Sequence, residues 1–398
     1  MNLSVDVVTS LDAVADEWDE LAADRSLYLD RRWLRSLERD PALEARYVLV
    51  RAGWLLGALP AYVWDGGEGW ATGAYDVSWS LRRAVVGVAR AEAYPAVLAG
   101  SRAGYANEPL LAPGLSEELR QEVAAALLQG VDELAEEAGA SVVEFPFLTR
   151  RGLLELAPAI DRFGPRLLHS AGTRLEVRWD SFDGYLRSLG TQRRHRTRAE
   201  LRRFEASGLT TERRRLGECY EELAPLSANV QRRYGHADSP ATTRAQLRAQ
   251  AAEVDEESVV FLARRDGRAV GFSLAYEHAG ALVIRTVGFD YEHVGGGDAA
   301  YFNLGFYLPI RFAAEAGLSA IECGPASYRA KVYRGCEPYP LFSVVRPTPA
   351  HRGALARWAP RWNESAFGWW EGQLADFGPL DRRAWVPETV LDEEEVAV

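Results

Sequence analysis

Apolar and polar positions alternate along this chain in two distinct periods, and they divide it into short strands and amphipathic helices. After Ser116, a capping residue, apolar side chains recur at Leu119, Val123, Leu127, Val131 and Leu134, the stripe of one helix. Residues 46–67 and 259–280 each read as a hairpin. A strand, a tight turn and a second strand with an internal glycine (Gly57, Gly271) follow one another in both. In the second half the pattern predicts one long helix or a bent pair over 182–207 and a strand Leu209–Arg214. Helices over 218–234 and 241–253, the hairpin 258–278 and a strand near 281–289 come next. A helix from about Ala299 to Ala316 and a strand Ser319–Cys323 close that half.

The halves resemble each other. AEEAGASVVEFP (135–146) and AAEAGLSAIECG (313–324) share Ala135/Ala313, Glu137/Glu315, Ala138/Ala316, Gly139/Gly317, Ser141/Ser319 and Glu144/Glu322. Each reads as a helix end, a glycine cap and a buried strand, and in each half the hairpin precedes it. The order predicts a duplicated α/β domain with a mixed sheet. The expected division is 1–168, 169–348 and a tryptophan-rich extension 349–398 ending in a solvated or frayed acidic tail, with the first boundary near Pro165–Gly172. Five of the twelve tryptophans (Trp358, Trp362, Trp369, Trp370, Trp385) fall in that extension, where packing is the expected role.

Composition narrows the function classes. The 398 residues are 47% hydrophobic and 26% charged, which is globular rather than disordered. No apolar run reaches the ~18 residues of a membrane helix. The acidic, amphipathic N-terminal stretch lacks the regions of a signal peptide. Cys219, Cys323 and Cys336 show neither a disulfide framework nor zinc-ribbon spacing, and the six histidines show no HxxxH or HExxH pairing. A reducing cytoplasm and no metal are the expectations. The net charge of −11 argues against a general nucleic-acid coat but leaves room for one basic face. Every basic residue except Lys331 is arginine.

Three stretches could carry chemistry. From Arg193 to Arg215 nine arginines (193, 194, 196, 198, 202, 203, 213, 214, 215) face only Glu200, Glu205 and Glu212. On a helix Arg194, Arg198 and Arg202 share one face, and the planar guanidinium grips phosphate bidentately. A solvated, salt-bridged helix is the plain alternative to a phosphate-rich or acidic partner such as RNA, a CoA-type phosphate group or an acidic carrier protein. The second stretch is Gly295-Gly296-Gly297 before a helix with Asp298 expected as its cap; Glu292 and Asp298 would repel a pyrophosphate there. The third is IECGPASYRAKVYRGCEPYP. A buried strand ends at Glu322, Gly324-Pro325 turns the chain outward, and Tyr328, Lys331, Tyr333, Arg334 and Glu337 cluster.

The run K-x-x-R-G-x-E-P, formed by Lys331, Arg334, Gly335, Glu337 and Pro338, resembles the end motif of Fem-like members of the GNAT acyltransferase superfamily. The preceding helix and Ile321-Glu322-Cys323-Gly324 are similar to the family's approach to that lysine, and the arginine-rich helix resembles the start of its second domain. Residues 173–345 carry the likeness well, and the first half does so by pattern. Two departures stand out. The loop from Gly324 to Lys331 is one residue longer than the family's usual run, and Glu292 falls where CoA-binding GNATs carry a basic or amide residue.

The resemblance implies tandem GNAT-like domains that transfer an aminoacyl group from aminoacyl-tRNA to an amine, with no tightly bound cofactor. The acceptor would be a small molecule or carrier-bound, in cell-wall-type or natural-product biosynthesis. Lys331 would hold a phosphate or the developing oxyanion, Glu322 would act as base or orienter, and Tyr328 would relay a proton. Arg334, Tyr301, Asn303 and Tyr333 would bind substrate, and Arg193, Arg194, Arg198 and Arg202 would hold the RNA backbone. An acyl-CoA-dependent N-acyltransferase and a non-catalytic RNA or carrier-protein binding module are the alternative readings.

Overall fold

The structure, a computed structural model, describes residues 2–39, 44–66, 75–235 and 239–392. The end of the acidic tail, 393–398, lies outside the described residues. The strands are β1 (Ser4–Val8), β2 (Glu44–Arg51), β3 (Leu55–Trp64), β4 (Ala96–Ala99), β5 (Leu110–Leu111), β6 (Val142–Leu148) and β7 (Arg166–Glu176). There follow β8 (Thr210–Arg214), β9 (Ser258–Arg265), β10 (Arg268–His278), β11 (Ala281–Phe289), β12 (Ala320–Glu322) and β13 (Glu337–Pro347). The chain forms two compact units, Met1–Ala171 with Tyr339–Val398, and Gly172–Pro338. Helix Pro349–Leu374 therefore belongs to the first unit.

In the first unit the strand order is β1-β2-β3-β4-β6-β13, with β5 on β3. In the second it is β7-β12-β11-β10-β9-β8. Among the described residues β4 pairs in parallel with β6 in the first unit, and β11 with β12 in the second. A parallel pair needs a crossover, and helix Glu117–Glu137 supplies it in the first unit. In the second the helical run from Ala300 to Glu315 does so. The matched segments 135–146 and 313–324 fall at the same point of each unit: the crossover helix ends, Gly139 or Gly317 takes a positive φ (+63°, +69°), and the second parallel strand begins.

The matched hairpin glycines also share a role. A β-carbon on Gly57 would lie 2.5 Å from Val123 of the crossover helix, and one on Gly271 would lie 3.0 Å from Leu304 of the other. Each glycine lets its helix settle onto the sheet. Val123, Leu127, Val131 and Leu134 are buried as the helix stripe predicts. The second unit's core gathers Phe182, Tyr185, Phe261, Val270, Leu282, Leu304, Ile310 and Ile321. Each such side chain contributes about 1.5–3 kcal/mol by leaving water.

The two units divide at Ala171–Gly172, inside the stretch Pro165–Gly172, and the chain passes that point within a strand: β7 starts at Arg166 and buries Leu167, Leu168 and Ala171. Of the two readings of 182–207 the bent pair is the one present, Phe182–Ser188 and Thr191–Glu205, broken at Leu189-Gly190. One expectation changes. Asp298 does not cap the following helix; Ala299, at φ +55°, precedes it, while Asp298 accepts from the Gly295 N–H at 3.1 Å and pairs with Arg265. That helix is π-wound over Asn303–Tyr307 just before Pro309, which has no N–H for the Gly305 carbonyl.

Candidate active site

The second unit's candidate site begins where β12 ends. The chain leaves Glu322 through a loop in which Gly324, Ala326 and Ser327 all take positive φ (+64°, +65°, +53°). The Thr173 hydroxyl donates to the Gly324 carbonyl at 2.7 Å. Helix Tyr328–Tyr333 then turns Lys331 back under this loop. Its ammonium donates to the carbonyls of Cys323, Gly324 and Pro325 at 2.6, 2.8 and 2.7 Å. These three bonds use all three N–H groups of an ammonium. Lys331 is 7% exposed, and burial pushes its pKa down to about 8. Two non-glycine residues in the left-handed region store strain of order 1–3 kcal/mol each, and the ammonium clamps the carbonyls beside them. Taking up a phosphate or an oxyanion would cost Lys331 one of these bonds.

Arg334 sits deeper. Its guanidinium donates to Glu200 Oε2 at 2.6 Å, the Tyr307 hydroxyl at 3.1 Å and the Ala330 carbonyl at 2.8 Å. Its carbon lies 3.8 Å from the centre of the Phe302 ring. Tyr307 also donates to Glu200, and Tyr185 donates to the Arg334 carbonyl at 3.1 Å. Burial, with the Glu200 carboxylate alongside, pushes the Tyr307 phenol up to about 12. Asn303 is likewise interior, donating to the Ala299 carbonyl at 2.9 Å. Arg334 and Asn303, expected at substrate, are thus core residues that tie the arginine-rich helix to the crossover helix and the loop.

Glu322 accepts from Arg174 at 2.5 Å and is half-buried, as are Tyr328, Tyr301 and Tyr333. Burial pushes the Tyr301 phenol up, with the Ser327 hydroxyl beside it acting the other way. The arginines divide by face. Arg194 is half-buried and donates to the Leu189 carbonyl at 3.0 Å. The guanidinium carbons of Arg193 and Arg196 lie 5.6 and 4.9 Å from the Tyr333 ring centre, a cation–π arrangement. Arg198, Arg202 and Arg203 are exposed, and among the described residues none of them makes an ion pair.

Sequence reasoning missed Glu200, Tyr307 and Arg174. Glu200 counted only as an offset charge; its place four residues after Arg196 was the one signal, and the two do pair at 3.1 Å. A metal grouping was also missed. Ligand atoms of Asp290, Glu292 and His293 lie within 4.8 Å of one another, though Asp290 already pairs with Arg268 at 2.9 Å.

The first unit carries its own buried carboxyl at the position matched to Glu322. Glu144 is fully buried and accepts from the Ser80 hydroxyl at 3.1 Å, with His169 Nδ1 3.6 Å from its other oxygen. Burial pushes Glu144 up to about 8 and His169 down to about 4. Aromatic rings surround the pair: Phe147 and Trp79 lie 4.6 and 5.6 Å from the imidazole.

Among the described residues no helix is long and apolar enough to cross a membrane. In fold the chain is similar to FemX, at 13% identity and a TM-score of 0.57 over 89% of this chain and all of that one. A protein of unknown function from Bacteroides thetaiotaomicron matches 86% of this chain and 99% of its own at 10% identity, TM-score 0.54. A tandem GNAT protein from the clavulanic acid biosynthesis pathway matches 87% and 98% at 15% identity, TM-score 0.50. No curated protein matches in sequence. The pattern of the FemAB-like family, described as peptidoglycan biosynthesis/recognition, spans residues 9–366. The chain belongs to that FemAB-like family and is an acyltransferase of the GNAT fold.

Proposed function

We propose that this acyltransferase moves an aminoacyl group from an aminoacyl-tRNA to the amine of a small-molecule or carrier-bound acceptor, in cell-wall-type or natural-product biosynthesis. The observation that carries this reading is the exposed row Arg198, Arg202 and Arg203 on a helix of a chain with net charge −11. A helix that keeps three guanidiniums without acidic partners is suited to a polyanion. The family pattern supports the acyl-transfer part.

In the step itself the amine nitrogen attacks the ester carbonyl. The C–N bond forms, the C–O bond to the ribose breaks, and the amine's proton goes to a base while the ribose hydroxyl is regenerated. An ester is already activated, so alignment and electrostatics supply most of the acceleration. Glu322, held by Arg174, takes the role of base or orienter. Tyr328 relays the proton, Tyr301 and Tyr333 line the approach, and Lys331 keeps the loop in its strained shape.

The test is transfer of labelled amino acid from a charged tRNA pool to candidate amines. Transfer abolished by RNase supports the proposal. Saturable acetyl-CoA consumption over the same amines, with no response to RNase, overturns it.

A further inference from the structure

Cys323 and Cys336 bracket the loop that Lys331 clamps, and their sulfurs lie 3.8 Å apart. Thirteen positions separate them in the chain. Cys323 follows β12 directly, and its own carbonyl is one of the three held by the lysine. Cys336 follows Gly335, at φ +96°, and its N–H donates to the Lys331 carbonyl at 3.1 Å. Both are free thiols; Cys323 is half-buried and within reach of water, whereas Cys336 is 2% exposed. The third cysteine, Cys219, is buried elsewhere in the unit and donates to the Arg215 carbonyl.

We propose that Cys323 and Cys336 form a peroxide-sensitive modification site, which closes as a reversible disulfide across the Lys331 loop. A disulfide needs its sulfurs about 2.05 Å apart. From van der Waals contact the remaining approach is met by side-chain rotation and a small shift of the loop. The exposed and buried partners divide the chemistry. The Cys323 thiolate attacks one oxygen of a hydroperoxide; the S–O bond forms, the O–O bond breaks, and water (or an alcohol) leaves after taking up a proton. The Cys336 thiol then loses its proton and attacks the Cys323 sulfur; the S–S bond forms, the S–O bond breaks, and a second water leaves. Two thiols are oxidised by two electrons, and the peroxide is reduced by the same two. The hydrogen bond to the Cys323 sulfur and burial push the Cys336 thiol up, with the Lys331 ammonium and the Arg334 guanidinium acting the other way, so Cys336 enters the sequence as the protonated, second partner. This site stands independently of which donor the enzyme uses. It is a labile pair on a strained loop, distinct from the structural frameworks of secreted proteins.

The experiment exposes the folded full-length protein to hydrogen peroxide and follows intact mass and peptide maps. The expected result is loss of two hydrogens and a single linked pair of peptides, one with Cys323 and one with Cys336. Cys219 stays free, and dithiothreitol restores the starting mass. In Cys336→Ser, the sulfenic acid at Cys323 persists and is trapped by dimedone. Wild-type protein that instead gains oxygen at Cys323 with Cys336 left as a thiol overturns the proposal. So does a linked pair that includes Cys219.

Discussion

The Glu200 carboxylate and the Arg334 guanidinium, 134 positions apart in the chain, meet at 2.6 Å with side chains only 1% and 2% exposed. Removing Glu200 strands the Arg334 charge in the core, which costs about 3–5 kcal/mol, whereas removing Arg334 leaves Glu200 its pairing with Arg196 at 3.1 Å. Glu200→Leu should lower stability by that order in denaturant melts, and Arg334→Met by less. The double variant should lose clearly less than the sum, because neither charge is left alone. Strict additivity would show that the pair is not coupled.

Lys331 makes a different prediction. Three carbonyls converge on a point, which suits a compact ammonium and not a planar guanidinium. Lys331→Met should cost about 3 kcal/mol, since hydrogen bonds to a charged group contribute about 1.5–3 kcal/mol each and the loop relaxes in part. Lys331→Arg should also impair turnover. Hydrogen exchange checks the cause: the amides of Lys331, Arg334, Gly335 and Cys336, which are hydrogen-bonded within the loop and its helix, should lose protection in both variants. Turnover lost with protection intact would instead place the ammonium on substrate.

How much of this was legible in the sequence depends on range. The crossover helices, the hairpins and the paired glycines follow from local periodicity and from the duplication, and they sit where the pattern puts them. The Lys331 loop was legible as a site because a strand end, a Gly-Pro turn and clustered charges all lie within a few residues. The pairing of Arg334 with Glu200 was not, since an arginine in a motif reads the same whether it faces solvent or the core. Only the fold brings helix Thr191–Glu205 over it. Glu144 was hidden for the same reason, because a carboxyl in an apolar strand reveals its burial but not its partners.

The exposed arginines predict a separable effect. Arg198→Ala, Arg202→Ala and Arg203→Ala touch no ion pair among the described residues, so each should leave stability within about 0.5 kcal/mol. RNA retention should weaken, and each replacement should lower the slope of log affinity against log salt by about 1. A triple variant that binds charged tRNA with the wild-type affinity and salt slope would remove the helix from the proposed interface.

The Glu144–His169 pair in the first unit should leave a signature in stability against pH. Burial raises Glu144 from 4.5 to about 8, so the folded state keeps a proton that the unfolded chain releases. Its contribution is fully present below pH 4.5 and is lost as pH rises towards 8. Burial lowers His169 from 6.5 to about 4, so its contribution is present above pH 6.5 and is lost as pH falls towards 4. Between 4.5 and 6.5 the two slopes oppose each other. Between 6.5 and 8 only Glu144 acts, and its share of the slope is a loss of about 1.4 kcal/mol per pH unit. Glu144→Gln keeps an acceptor for the Ser80 hydroxyl and removes the titration. Its stability should therefore gain on wild type steadily from pH 6.5 to 8 and rise from pH 4.5 to 6.5 where the wild type is flatter. Chemical denaturation across that range measures the difference between the two profiles. A constant offset at every pH would mean that Glu144 stays ionised in its buried site.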